Sequence, residues 1–313
     1  MNMLQLLIDA ILPILIYIAA GMLAKHLKLI DSSSASSMHK VVYFICLPAM
    51  MFASTYTCDL RQSFDGPLTL FLAAAITITF FTVTFIVPLF IKDRQQCGIL
   101  AQGLLRGNIA SFGLPVVLSL CAPSEAARIS LSYSCNYPLV TILAISGLKW
   151  FQGEKQNFTH LLRSAANNPI AMGTLIGVIC NLIKLPLSSS LIKAATSIGQ
   201  ISTPLAFILL GASLNTFGSK KNHKIIYAYV PLKLIAIPLF WISVAYAFFS
   251  FTGGRILSVM GIFAVPGAVS SVSTAKALGY DDILGEELVA YSTMFSVFTI
   301  VLWIICLKLV GLY

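Results

Sequence analysis

The chain has 313 residues, 58% of them hydrophobic and 10% charged, with a formal net charge of +9 and a mean hydropathy of +0.90. Soluble domains carry roughly 25% charged residues, so the composition excludes one and points to an all-α polytopic membrane protein. The basic residues stand singly or in twos and threes between apolar runs, which excludes nucleic acid as a partner and makes them orientation signals at the surface of a lipid bilayer.

Ten transmembrane helices are predicted, near residues 4–24, 38–56, 67–91, 97–121, 127–149, 168–184, 190–215, 225–250, 255–277 and 283–312, each long enough to cross hydrocarbon. The start of the chain lacks a basic n-region and a small-residue cleavage site, so the first run is expected to stay as a helix, with Asp9 at the interface. Polar interruptions are short, at 25–37, 59–65, 92–96 and 220–224; only 152–164 has the composition of a linker. The expected organisation is a five-helix unit over 1–150, a linker over 151–166 and a second unit over 167–313. The seven cysteines (46, 58, 97, 121, 135, 180, 306) form no C-x-x-C pair, so neither metal nor disulfide roles are expected, and no cofactor is.

The fourth span carries Arg106, Gly107, Asn108, Ser111, Gly113 and Pro115 where lipid would favour leucine. Proline has no N–H and clashes with the carbonyl four residues back; glycine adds backbone freedom. A helix broken here frees polar groups that must be buried in protein or line a wet cavity, the pattern of a transporter's binding site. A kinked structural helix is the other reading. No acidic residue shares the segment with Arg106, which leaves two roles open: attracting an anion, or snorkelling to the inner surface.

The halves repeat. At a shift of 156 residues Pro13 meets Pro169, Gly21 meets Gly177, Lys28-Leu29 meets Lys184-Leu185, the serines at 32–34 meet those at 188–190, and Pro48 meets Pro204. At 158, Tyr133-Ser134 meets Tyr291-Ser292. With five helices each, an odd number, the second half must be inverted, as in many secondary transporters. Pro48 and Pro204 are then expected as matching kinks. With the N-terminus outside, the loops facing the cytoplasm hold twelve lysines and arginines and the outer ones six, so both termini are expected outside and the linker inside.

The repeat calls for a second break, and the ninth span supplies Pro266, Gly267, Ser270 and Ser271. Two broken helices crossing at mid-membrane would offer half-helix N-termini to an anion. Asn108, Ser270 and Ser271 can both donate and accept there, whereas Ser273 and Thr274 are expected to pack helices together. Tyr133 and Asn136 in the fifth span either line a cavity or hydrogen-bond between helices. Lys233, two turns into the eighth, is expected to snorkel.

In Gly107-Asn108…Gly113-Leu114-Pro115, in Pro266…Ala275-Lys276…Gly279-Tyr280-Asp281, and in Leu12-Pro13…Gly21…Leu29-Ile30-Asp31 and Pro204…Leu210-Gly211-Ala212-Ser213-Leu214, the chain resembles the auxin efflux carrier family of plants and bacteria. Bacterial members of that family include malonate and malate transporters. The resemblance implies a scaffold part and a mobile part, with helices four and nine crossing beneath the substrate. The long central loop of the plant members is reduced here to about 152–164, and a second proline of their ninth helix falls at about Ser271. Auxin is therefore not the expected substrate.

The expectation is a secondary active transporter in a bacterial inner membrane, moving a small organic anion, a mono- or dicarboxylate such as malonate or malate, by alternating access. The rival is a sodium-coupled carrier resembling the bile-acid/sodium symporter family. Proton or sodium coupling and a homodimer both stay open. An enzyme is not expected: no H-E-x-x-H or G-x-S-x-G motif occurs, and His26, His39, His160 and His223 sit in or beside loops.

Overall fold

The computed structural model describes residues 3–57, 64–153, 169–213, 222–268, 271–272, 274–275, 278–280 and 282–313. Its regular elements are helices: α1 (Met3–His26), α2 (Ser32–Val41), α3 (Leu47–Thr57), α4 (Gly66–Phe90), α5 (Arg94–Leu105), α6 (Leu114–Leu120) and α7 (Pro123–Gln152). There follow α8 (Pro169–Leu182), α9 (Ser189–Ser213), α10 (His223–Pro231), α11 (Ile237–Phe249), α12 (Gly254–Phe263) and α13 (Asp282–Leu309). Four helical stretches, Gly66–Phe90, Ser124–Gln152, His223–Phe249 and Ile283–Leu309, are long and apolar enough to cross a bilayer. Val42–Thr57, Met172–Leu182 and Gly254–Phe263 are shorter apolar helices.

Polar sequence does not always mean loop. Residues 32–37, expected as part of an interruption, open α2, because the Asp31 carboxylate accepts the Ser34 N–H at 2.6 Å and caps the helix.

Among the described residues, three π turns interrupt the helices, at Val42–Cys46 between α2 and α3, Ile109–Gly113 before α6, and Leu232–Ala236 between α10 and α11. Each ends two residues before a proline: Pro48, Pro115 and Pro238. Widening the turn by one residue gives the N–H before each proline a partner five residues back: Leu47 donates to Val42, Leu114 to Ile109 and Ile237 to Leu232. It also moves the preceding carbonyls away from the proline ring. Pro204 lies inside an unbroken α9 instead. Pro48 and Pro204 share a place in the repeat and not a geometry.

One backbone motif recurs 156 residues apart. After α1, Leu29 N donates to Ala24 O and Lys28 N to Lys25 O, with Lys28 at φ 58°. After α8, Leu185 N donates to Cys180 O and Lys184 N to Asn181 O, with Lys184 at φ 51°. Both are Schellman turns, which close a helix by placing one residue in the left-handed region.

The helices form two neighbourhoods. In the first, α1 packs on α9, and α3 packs on α8 and α9. Missing side chains set these distances: a Cβ on Gly21 would overlap the Ile208 carbonyl, and one on Gly177 would crowd the Phe52 carbonyl. The second gathers α4, α5 and α7 together, with α11 on α12 and α10 on α13. Its end near Asp65 is tied by that carboxylate, which caps α4 at Leu68 N and pairs with Arg255 at 2.7 Å. Glu125 accepts the Gly254 N–H beside them.

Candidate functional site

The second neighbourhood is organised around two interrupted helices. The Asp93 carboxylate caps α5 by accepting the Gln95 N–H at 2.9 Å, and α5 ends at Leu105. Arg106 then turns extended at φ −89°, ψ 92°, and helical structure resumes only with the π turn at Ile109. Opposite, α12 ends at Phe263, and Ala264–Ala268 run without helix before helical backbone returns at Ser271-Val272. Where the two gaps meet, Gly107 and Gly267 form an antiparallel bridge. Asn108 N donates to Pro266 O at 2.7 Å and Ala268 N to Arg106 O at 3.2 Å. A fragment of β-ladder thus joins two helices, satisfying backbone groups that hydrocarbon would leave bare.

Glycine makes the crossing. A Cβ on Gly107 would overlap Val265, and one on Gly113 would overlap the Gly261 carbonyl. Side chains close the remaining valences. The Tyr229 hydroxyl donates to Gly103 O at 3.0 Å, and Lys233 Nζ donates to Leu104 O at 2.8 Å. The Ser292 hydroxyl accepts the Gly267 N–H at 3.0 Å.

These partners correct one expectation. Lys233 does not snorkel: it is 1% exposed and holds the last turn of α5. Lys233 and Tyr229, four residues apart on one helix, share the face that meets α5.

The other residues singled out in the sequence separate into groups. Arg106 is 6% exposed, and Nη1 donates to Thr274 Oγ1 at 3.2 Å; Thr274 is thus a partner of Arg106 besides a packing residue. Asn108 is half-buried, and its side chain makes no hydrogen bond among the described residues. Its carbonyl accepts from Phe112 N and Gly113 N. Ser111 lies in the π turn, Pro115 is buried in the first turn of α6, and Ser271 donates back to Ala268 O. Ser270 and Ser273 fall outside the described residues.

Tyr133 and Asn136 are not brought to the bridge. The Tyr133 hydroxyl donates to Ser258 O on α12 at 2.8 Å, and Asn136 Nδ2 donates to Thr69 O on α4 at 3.2 Å. Both tie helices together.

Two spaces flank the crossing. A cleft of about 370 Å3 lies between the neighbourhoods, lined by Met50, Ala53 and Thr57 of α3, Leu118 and Ser119 of α6, and Thr196 and Gln200 of α9. It lies in the size range of small-ligand sites. In the π turn before α6, the Phe112 ring meets the Phe207 ring of α9 edge-on, 5.7 Å between centroids. A second space, about 10 Å3, is lined by Gln102, Gly103, Tyr229 and Ser271 among others. The Gln102 Nε2 atom is buried without a hydrogen-bond partner among the described residues.

Tyr229, Lys233 and Ser292 were not read from the sequence as site residues. A lysine four residues after a tyrosine inside an apolar run was the available signal. Tyr291-Ser292 stood out only as repeat partners of Tyr133-Ser134.

Helices that span apolar depth, two of them broken and joined through their backbones, define a membrane transport protein. A family profile described as "Membrane transport protein" matches residues 6–159 and 154–304. The chain belongs to that family, the family of the auxin efflux carriers. It is also 24% identical, over 310 residues covering 96% of this chain and 98% of the other, to an "Uncharacterized transporter" of Methanothermobacter thermautotrophicus.

Proposed function

We propose that this protein is a secondary carrier, not an enzyme, that moves a small organic anion such as malonate or malate across a bacterial plasma membrane by alternating access. The observation that carries the reading is the bridge between Gly107 and Gly267, with Arg106 and Asn108 on its strand. Arg106 supplies a permanent positive charge in an apolar setting, and the half-buried Asn108 amide is free to bind. A carboxylate can use both, together with the N–H groups that open a helix.

In this reading the chain has ten spans in two inverted five-helix repeats, both ends outside. The paired Schellman turns at Lys28 and Lys184 support the repeat. So does the relation between Gly21–Ile208 and Gly177–Phe52, in which the same shift of 156 carries each contact onto the other with the halves exchanged. The neighbourhood of α1, α3, α8 and α9 is the scaffold, and the one holding the bridge moves against it.

Thermal unfolding of the purified protein in malonate, malate and matched neutral amides tests the reading, because a ligand that binds only the folded state raises the melting temperature. Stabilisation by the acids and not by the amides is expected. Equal response to amide and acid removes the case for an anion.

A further inference from the structure

Lys233 is a buried ionisable side chain outside the proposed anion site. Its ammonium ends on Leu104 O, one of the carbonyls left over where α5 breaks. Neighbouring carbonyls are also taken: Gln102 O by Arg106 N, Gly103 O by the Tyr229 hydroxyl, and Arg106 O by Ala268 N. Such a helix C-terminus carries a partial negative charge, and broken-helix carbonyls of this kind are where carriers coordinate a sodium ion or a proton. Here the protein's own donors occupy them, and one of those donors is a full positive charge.

Lys233 forms no ion pair among the described residues. Among the described residues, none of the titratable or charged groups around it is bonded to it. On its own helix, Tyr229 is bound to Gly103 O. From the α5 side, Arg106 is turned to Thr274, and Cys97 lies two turns back toward the helix start. α12 brings only Arg255, paired with Asp65 at its far end, and 264–268 bring none. On α13, Glu286 is exposed and Tyr291 is half-buried, while Glu287 is buried: its Oε2 accepts from Asn222, eleven residues or about 16 Å along a helix before Lys233, and its Oε1 has no hydrogen-bond partner among the described residues.

We propose that the Lys233 ε-ammonium is a resident cation in the place a sodium-coupled carrier would give to its ion, and that the proton it holds is the one coupled to transport. This rests on the carrier reading given above. The step makes and breaks only N–H bonds: the ammonium releases H+ to water on one side of the membrane, leaving a neutral amine that still donates one hydrogen to Leu104 O, and takes H+ back from the other side. Guanidinium cannot do this within the accessible pH range. The small space lined by Gln102, Gly103 and Tyr229 borders the residues that hold the end of α5.

The first test needs no substrate. Melting temperatures of wild type, Lys233→Arg and Lys233→Gln are measured from pH 5 to 10, in sodium chloride and in choline chloride. Arginine keeps the charge without the proton, and glutamine keeps a donor for Leu104 O. The difference between wild type and Lys233→Arg is expected to change with pH, and sodium is expected to shift wild type by no more than choline does. A difference that stays constant over the whole range, or a rise specific to sodium, overturns the proposal. Lys233→Gln gives the same comparison should arginine prove too large to fold.

The second test uses radiolabelled malonate in proteoliposomes. Wild type is expected to accumulate it under a proton gradient and not under a sodium gradient, while Lys233→Arg exchanges it across the membrane without gradient-driven accumulation. Accumulation by Lys233→Arg equal to wild type overturns the proposal. If wild type takes up no malonate or malate even in exchange, the substrate reading fails, and the pH titration still decides Lys233.

Discussion

Gly113 lies so close to the Gly261 carbonyl oxygen that no side-chain atom fits between them. This contact sets the distance between the π turn before α6 and α12, and with it the reach of the Gly107–Gly267 bridge. Gly113→Ala is therefore expected to lower stability by about 1–3 kcal/mol, the range for overpacking a tight core. Gly285→Ala is the control, since the nearest atom to its Cβ is 3.7 Å away. Thermal unfolding of the two variants side by side checks the contrast; equal melting temperatures would mean the helices move apart at no expense.

Asn108→Ala is expected to fold as wild type does, because the native side chain makes no hydrogen bond among the described residues. Ligand affinity should fall roughly five- to hundredfold, the loss of about 1–3 kcal/mol for a bond left unmade in a buried site. Calorimetric titration with whichever acid the thermal screen selects is the measurement. Unchanged affinity in a normally folded variant places the substrate elsewhere.

Arg106→Gln separates charge from hydrogen bonding. Glutamine can still donate toward Thr274, which Arg106 reaches now, but it carries no charge. Binding of a dianion is expected to weaken more than that of a monoanion, whereas Asn108→Ala weakens both alike. Titrations at one fixed salt concentration are needed, since screening alone changes such preferences. An unchanged preference would confine Arg106 to bracing the crossing.

Single cysteines in the 152–164 stretch of a cysteine-free variant should resist a membrane-impermeant maleimide added to intact cells and react after lysis. The lysine and arginine bias is the ground on which a cytoplasmic position is proposed for this stretch. Labelling from outside inverts the proposed orientation.

The breaks themselves were legible in the sequence. Arg106, Asn108 and Pro115 in one apolar run, and Pro266-Gly267 in another, are chemically at odds with a continuous buried helix, and the structure interrupts the helix at both. What joins them was not. The pairing of Gly107 with Gly267, and the hold of Tyr229 and Lys233 on α5, depend on which helices become neighbours, and spacing within one segment does not encode that. The start of α2 at Ser32 was missed because composition outweighed a capping aspartate. Proline was legible as a disturbance, yet nothing local separates Pro48, Pro115 and Pro238, each preceded by a π turn, from Pro13, Pro88, Pro138 and Pro204 inside regular helices.

The glycine contacts between α1 and α9 and between α8 and α3 also set a schedule. Gly21 leaves the ribosome 187 residues before the Ile208 carbonyl it rests on. At about 5–20 residues per second, that is a wait of roughly ten to forty seconds. Until then the small-residue face of α1 has only lipid or the insertion machinery for company, and α3 likewise waits for Gly177. α1 must therefore be stable in the bilayer before α9 arrives. A nascent chain stalled before α8 would leave both faces open to another copy, so crowded ribosomes on one message are where mispaired chains would first form.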